Sequence, residues 1–266
     1  MKGELIMAQL TIGIQPANLN VPLKQGLHIA AEMGVQVVEI DARTDISFND
    51  LSDTAARQIR KMINDLNLQV VALKFVTRRG YGEADDLERR VDGTKRAMKL
   101  AYALGARYLV NSIGKVPADA TDPKWQMMKE VLTDLGNYGQ RTGVFLTAET
   151  GSEPLADLYQ LIRASAEGTV GIALNPGNLL INGFEFHNQL SSVSDHVYLV
   201  HAQDGVQDRA RGRGYEVPLG RGSAEFPEIA AILEERQFRG AYVIQRSVST
   251  GAREEIELAV SFLRSL

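Results

Sequence analysis

The sequence predicts a single (β/α)8 barrel, and three observations carry that prediction. Short apolar runs rich in β-branched residues alternate with amphipathic stretches along the whole chain of 266 residues. Eight such runs occur. The first and last begin about 230 residues apart, so each unit takes roughly 33 residues, close to the spacing of such barrels. No low-complexity segment or linker interrupts the order.

The first strand, Leu10–Gln15, is followed by a helix over Leu23–Met33 that leads to Gly34. Val37–Asp41 is the second strand. Asn49–Leu66 opens with Asn-Asp-Leu-Ser and carries Ile59, Met62, Ile63 and Leu66 at helical spacing. Val70–Phe75 then precedes a helix over Leu87–Leu104, stopped by Gly105. Tyr108–Ile113 precedes a helix over Trp125–Tyr138, stopped by Gly139. Phe145–Thr150 and the helix Leu155–Ala164 make the fifth unit, and Gly171–Pro176 is the sixth strand. Val197–Gln203 pairs with the helix Phe226–Glu235, and Ala241–Gln245 with Glu254–Leu263. A doubly wound open sheet would want a glycine-rich fingerprint after its first strand, where Gln15-Pro16-Ala17-Asn18 has none. Residues 1–266 therefore read as one TIM-barrel domain.

Composition narrows the chemistry. Lys+Arg is 29 and Asp+Glu 33, a formal charge of −4, which argues against a nucleic-acid partner. With no cysteine, disulfides, thiolate catalysis and Cys-ligated metals are excluded. Only four histidines occur: His28, His187, His196 and His201. Glu4 interrupts any apolar run of a signal peptide, and no window approaches the roughly 18 apolar residues of a membrane span. The expected setting is cytoplasmic, with no membrane partner, and Met7 offers an alternative start.

In such a barrel the working face is the C-terminal end of the strands. Alternation with the small residues Gly171 and Ala173 turns Asn175 inward, and the same reasoning brings Glu149, His201 and Gln245 to the ends of the fifth, seventh and eighth strands. Lys74 and Asn111 are expected to face the same cavity. A glutamate among Leu, Thr and Ala on a buried strand is costly unless paired, which marks Glu149 as functional. The other three histidines fall on a helix, in a loop or short helix, and at a strand start, away from the chemistry.

Several segments carry a resemblance: Ala148-Glu149-Thr150, Leu174-Asn175-Pro176-Gly177-Asn178, His201-Ala202-Gln203-Asp204, Pro218-Leu219-Gly220-Arg221-Gly222-Ser223, Phe226-Pro227-Glu228-Ile229 and Gly240-Ala241-Tyr242-Val243-Ile244-Gln245-Arg246. Over most of its length the chain resembles the sugar phosphate isomerase/epimerase family, the xylose-isomerase-like or endonuclease-IV-like TIM barrels. The resemblance implies a site for Mn²⁺, Mg²⁺, Co²⁺ or Zn²⁺ built by Glu, Asp, His and Glu, which moves a proton next to a sugar carbonyl. Glu149 and His201 keep the pattern. Asn175 replaces the Asp, Gln245 the last Glu, and Asn178 a frequent His. With neutral His, the family ligands sum to −3, whereas Glu149, Asn175, His201 and Gln245 sum to −1, so the divalent site is weak or lost.

An amide cannot accept a proton at neutral pH, so with Gln245 in the second catalytic position Glu149 is the only evident base. One-base isomerisation or elimination survives this loss better than two-base epimerisation. Lys74, Asn111, Asn178, Arg221 and Asp204 are the expected substrate contacts, Asp204 also as a partner orienting His201 or an arginine. The expected substrate is a small sugar or polyol. Lys74, Arg78, Arg79, Arg209, Arg211, Arg213, Arg221 and Arg246 after the strands suggest that it is anionic. Gly212-Arg213-Gly214 and Gly220-Arg221-Gly222 are too short for a nucleotide fingerprint, so no nucleotide cofactor is expected. Apolar faces on the outer helices leave room for a homo-oligomer. The competing reading is a barrel that binds a sugar-like ligand without a tight metal site and without catalysis.

Overall fold

The computed structural model describes residues 10–46, 48, 51–165, 169–208, 212–247 and 251–266. Eight parallel strands close into a barrel: β1 (Thr11–Ile14), β2 (Val37–Asp41), β3 (Gln69–Lys74), β4 (Tyr108–Asn111), β5 (Phe145–Glu149), β6 (Val170–Leu174), β7 (Val197–Ala202) and β10 (Ala241–Ile244). β10 completes the ring by pairing with β7 and β1, with Thr11 opposite Ala241 and Ile14 opposite Ile244. The helices are α1 (Leu23–Glu32), α2 (Asp53–Asp65), α3 (Leu87–Leu104), α4 (Pro123–Thr142), α5 (Leu155–Ala164), α6 (Pro176–Ile181), α7 (His187–Val193), α8 (Phe226–Glu235) and α9 (Ala252–Arg264). Among the described residues no helix is long and apolar enough to cross a membrane.

The core has two layers because strand side chains alternate. Ile12, Ile14, Val38, Ile40, Leu109, Ile172, Val200 and Ile244 face the helices. Val37, Ala72, Val110, Ala173, Leu199, Ala241 and Val243 fill the barrel itself. At the N-terminal end the rings of Tyr108 and Phe145 meet Tyr198, with centroids 5.7 and 6.2 Å away. Gly171 makes room for that aromatic floor, since a Cβ there would lie 2.2 Å from the Tyr198 ring. The interior is therefore plugged below, and the charged residues collect above.

Element order follows the sequence expectation, with α6 and α7 added after β6 and two further differences. The Gly139 stop is a misreading, because α4 runs on to Gly143, whose φ of 77° ends it. Gly136 and Gly139 lie inside the helix and let it close on the barrel: added Cβ atoms would sit 2.1 Å from Thr169 Oγ1 and 2.5 Å from the Val144 carbonyl oxygen. Between β7 and α8, a two-stranded antiparallel ribbon of β8 (Asp204–Val206) and β9 (Tyr215–Val217) is inserted, which the alternation did not predict.

Candidate active site

The mouth is built by the last inward residues of the strands, and Glu149 is its centre. One oxygen, Oε1, accepts from His201 Nδ1 at 2.8 Å, Asn175 Nδ2 at 3.2 Å and Lys74 Nζ at 3.4 Å. Among the described residues no donor reaches the other oxygen, Oε2. The side chain keeps 10% exposure, so that oxygen is turned to the opening. Burial would raise the Glu149 pKa, but the positive charges of Lys74 and His201 and their hydrogen bonds outweigh it and hold the carboxyl well below the usual range.

His201 is fully buried and sits between two carboxylates, with Nε2 3.0 Å from Glu39 Oε2. A neutral imidazole has one N–H and satisfies one acceptor, whereas the imidazolium satisfies both. Burial lowers the pKa, yet Glu39 and Glu149 more than reverse that and raise it to about 9. Lys74 is held charged in the same way: burial lowers its pKa, and Glu149 and Glu39 raise it above the ordinary value. Glu39 and Glu149 are thus paired with His201 and Lys74 inside the mouth, and Asp41 at the end of β2 adds a further negative charge near Lys74.

Neutral amides complete the wall. Gln15, after β1, donates to Glu39 Oε1 at 2.6 Å and to Gln245 Oε1 at 3.3 Å. Gln245 Oε1 also accepts from Lys74 Nζ at 3.2 Å. Asn175 caps α6, with Oδ1 accepting the Asn178 N–H at 2.9 Å, while Nδ2 serves Glu149 and Gln203 Oε1. These partners fix the amide orientation: Asn175 turns a donor, not an oxygen, toward Glu149.

The donor set does not fit the divalent cation that the family resemblance implies. Of the four ligand positions, only Glu149 carries a negative charge. Asn175 spends its oxygen on a helix cap, both His201 nitrogens face carboxylates, and Gln245 faces an ammonium. The Lys74 ammonium already lies within reach of Glu149 and Gln245, so a metal ion among these groups would meet a like charge. Elsewhere among the described residues, His187, Glu225 and Glu228 place potential ligand atoms within 4.8 Å of one another, outside the barrel.

The structure brings Lys74, Glu149, Asn175, His201 and Gln245 together, but not every expected contact. Asn111 is turned away from the mouth. Val110 is the inward residue of β4, and Asn111 is fully buried on the outer face, bonded to the Thr77 backbone and hydroxyl and to Tyr81 Oη. Asp204 does not orient His201. Its carboxylate accepts from the backbone N–H groups of Gly205, Gly220, Gly222 and Ala224, and so ties down the loop before α8. Arg221 lies exposed in that loop, and Asn178 is half-buried against Gly151. Arg246 is engaged by Glu216 and Glu255, while Arg209 and Arg211 lie outside the described residues. His28 is exposed on α1, His196 packs on Tyr159, and His187 stacks on Phe186. Glu39, Gln15 and Gln203 were missed. Glu39 was legible in Val37-Val38-Glu39-Ile40-Asp41, where the burial argument used for Glu149 applies equally.

The family described as xylose isomerase-like TIM barrel matches residues 27–266. No curated protein matches the chain. Among solved structures, the chain is similar to a xylose isomerase domain protein from Planctomyces limnophilus, with a TM-score of 0.84, 21% identity, and coverage of 97% of this chain and 96% of the other. It is also similar to a D-psicose 3-epimerase solved in the presence of D-fructose (0.77, 15%, covering 96% and 99%) and to an L-ribulose 3-epimerase (0.76, 17%, covering 97% and 93%).

Proposed function

From the premise that the chain belongs to the xylose isomerase-like TIM barrel family, we propose that it isomerises a small sugar by proton transfer next to a carbonyl, with Glu149 as the single base and no divalent cation. One observation carries this reading: three donors hold one Glu149 oxygen while the other is left to the opening. The neighbours that act on D-psicose and L-ribulose support the substrate class.

In this reading the substrate carbonyl oxygen takes the Lys74 ammonium as its hydrogen-bond donor. That polarises the C=O and withdraws positive charge from Glu149, whose basicity recovers when it is needed. Glu149 Oε2 removes the proton from the adjacent carbon, and the ammonium stabilises the enediolate oxygen. Glu149 then returns the proton to the former carbonyl carbon on the same face, while Lys74 gives a proton to the enediolate oxygen and recovers one from the hydroxyl of the deprotonated carbon, so that the carbonyl moves by one carbon. The His201 imidazolium, braced by Glu39, keeps the Glu149 carboxylate fixed throughout. Gln245 and Gln15 offer neutral groups to hydroxyls, and Gln245 cannot serve as a second base.

D-fructose and L-ribulose in D₂O are the probes, with deuterium incorporation read by NMR. Exchange that survives exhaustive chelation and falls about 10³-fold in Glu149→Gln supports the proposal. Unchanged exchange in Glu149→Gln removes its base, and exchange lost to chelator and restored by Mn²⁺ removes its metal-free step. The depressed Glu149 pKa favours a second reading, ligand binding without turnover. Thermal stabilisation by these sugars with no exchange would select it.

A further inference from the structure

A second polar cavity lies on the outer side of the same strand end. Lys74 points into the barrel, and the next residue, Phe75, points out between the β2–α2 and β3–α3 loops and the first turns of α3. The space beside it is about 320 Å³. Among the described residues six arginines line it, against one aspartate, Asp86.

The arginines divide into two groups. Arg43 and Arg90 build the walls. Arg43 donates twice to the Val76 carbonyl, at 2.9 and 3.2 Å, and clamps the two loops together. Arg90 donates to the carbonyls of Gly80, Asp85 and Glu83. Among the described residues neither forms an ion pair, although the Glu83 carboxylate feels the charges of Arg90 and Arg79. Arg89 and Arg96 come from α3 at i and i+7 with Gly93 at i+4, which places all three along one stripe. Arg78 and Arg79 come from the loop. Among the described residues none of these four forms an ion pair.

The floor is aromatic. Phe48 and Phe75 lie with ring centroids 4.8 Å apart, Arg43 over one ring at 5.1 Å and Arg96 over the other at 5.5 Å. Gly93 leaves room beside the edge of Phe75, which is 7% exposed: a Cβ there would lie 3.6 Å from the ring. A concentration of unpaired guanidinium groups in a chain of net charge −4 costs electrostatic energy unless an anion arrives. One carboxylate is satisfied by one or two guanidinium forks. Four free forks suit the several oxygens of a phosphoryl group, and the aromatic floor suits an organic body.

We propose that this cavity binds an organic phosphate, its phosphoryl oxygens held by Arg78, Arg79, Arg89 and Arg96 and its body laid on Phe48 and Phe75. The site is separate from the proton-transfer mouth and stands whether or not that reading holds.

Inorganic pyrophosphate titrated calorimetrically into the whole protein at low salt tests the phosphoryl half. One equivalent should bind, with affinity falling at least about tenfold in each of Arg89→Ala and Arg96→Ala. Binding should also fall steeply with added NaCl and stay unchanged in Glu149→Gln and in Arg213→Ala, an exposed arginine outside the cavity. Circular dichroism confirms that each variant is folded. Should Arg89→Ala refold poorly, Arg78→Ala and Arg79→Ala probe the same site from the loop. Absence of binding, or binding that Arg213→Ala weakens as much as Arg89→Ala does, overturns the proposal.

Discussion

Two clusters of charge sit back to back across the end of β3, and they are solved in opposite ways. Inside the mouth, Glu39 and Glu149 are matched by His201 and Lys74, and each charge has a partner of opposite sign within about 3.4 Å. Outside, among the described residues, six arginines share a cavity with one aspartate. Ions buried in low dielectric must be paired, whereas exposed arginines tolerate surplus because water and salt screen them. The buried charges of the mouth are therefore paired without a ligand, while the outer cavity carries an excess of positive charge among the described residues.

The largest expected effect tests the completeness of the mouth. His201→Leu leaves buried Glu39 without a charged partner among the described residues and Glu149 with Lys74 alone, and should cost about 3–5 kcal/mol of stability in urea unfolding. A loss below about 1 kcal/mol would mean that His201 is not the charged link between Glu39 and Glu149. Titration follows the same logic. The folded-state pKa of His201, about 9, lies above the ordinary 6.5, so its contribution is fully present below about pH 6.5 and is lost as pH rises through about 9. Wild-type stability should fall by on the order of 2–3 kcal/mol over that window, and His201→Leu should lack this fall.

These charges were unevenly legible in the sequence. Strand spacing set the barrel, and alternation from Gly171 and Ala173 turned Asn175 to the mouth correctly, because small residues must face a crowded interior. On β4 no small residue marks the inward face; Val110 takes it, and Asn111 therefore points outward, against expectation. Glu39 sat in plain view, but as the middle of an apolar run it matched none of the motif positions. The loop-tying role of Asp204 is not legible in the sequence. Its role depends on four backbone N–H groups up to 20 residues away, and no spacing rule encodes a loop closing on one carboxylate.

Restoring the missing carboxylates turns the mouth from one solution to the other. The double variant Asn175→Asp, Gln245→Glu adds two negative charges where the wild type presents amides, and Mn²⁺ then becomes a competitor for the place of the Lys74 ammonium. At about 100-fold excess over its Kd, Mn²⁺ should stabilise the double variant by roughly 2.7 kcal/mol and leave the wild type unmoved. Equal stabilisation of both would show that amides suffice, and the charge argument against a metal would fall.

The smallest expected effect has the opposite sign. Arg89 forms no ion pair among the described residues and shares its cavity with five other arginines, so Arg89→Gln removes repulsion while keeping a helix-compatible side chain. At low salt the variant should be slightly more stable than wild type, within the roughly 0.5 kcal/mol usual for surface changes. Salt at about 1 M, where the Debye length is near 3 Å, should erase the difference. Saturating pyrophosphate should invert it, because the wild type then gains the binding energy that the variant has given up. Thermal melts under these three conditions separate a cavity short of its anion from a merely solvated rim. A solvated rim shows no dependence on pyrophosphate, and a structural arginine destabilises on removal in all three.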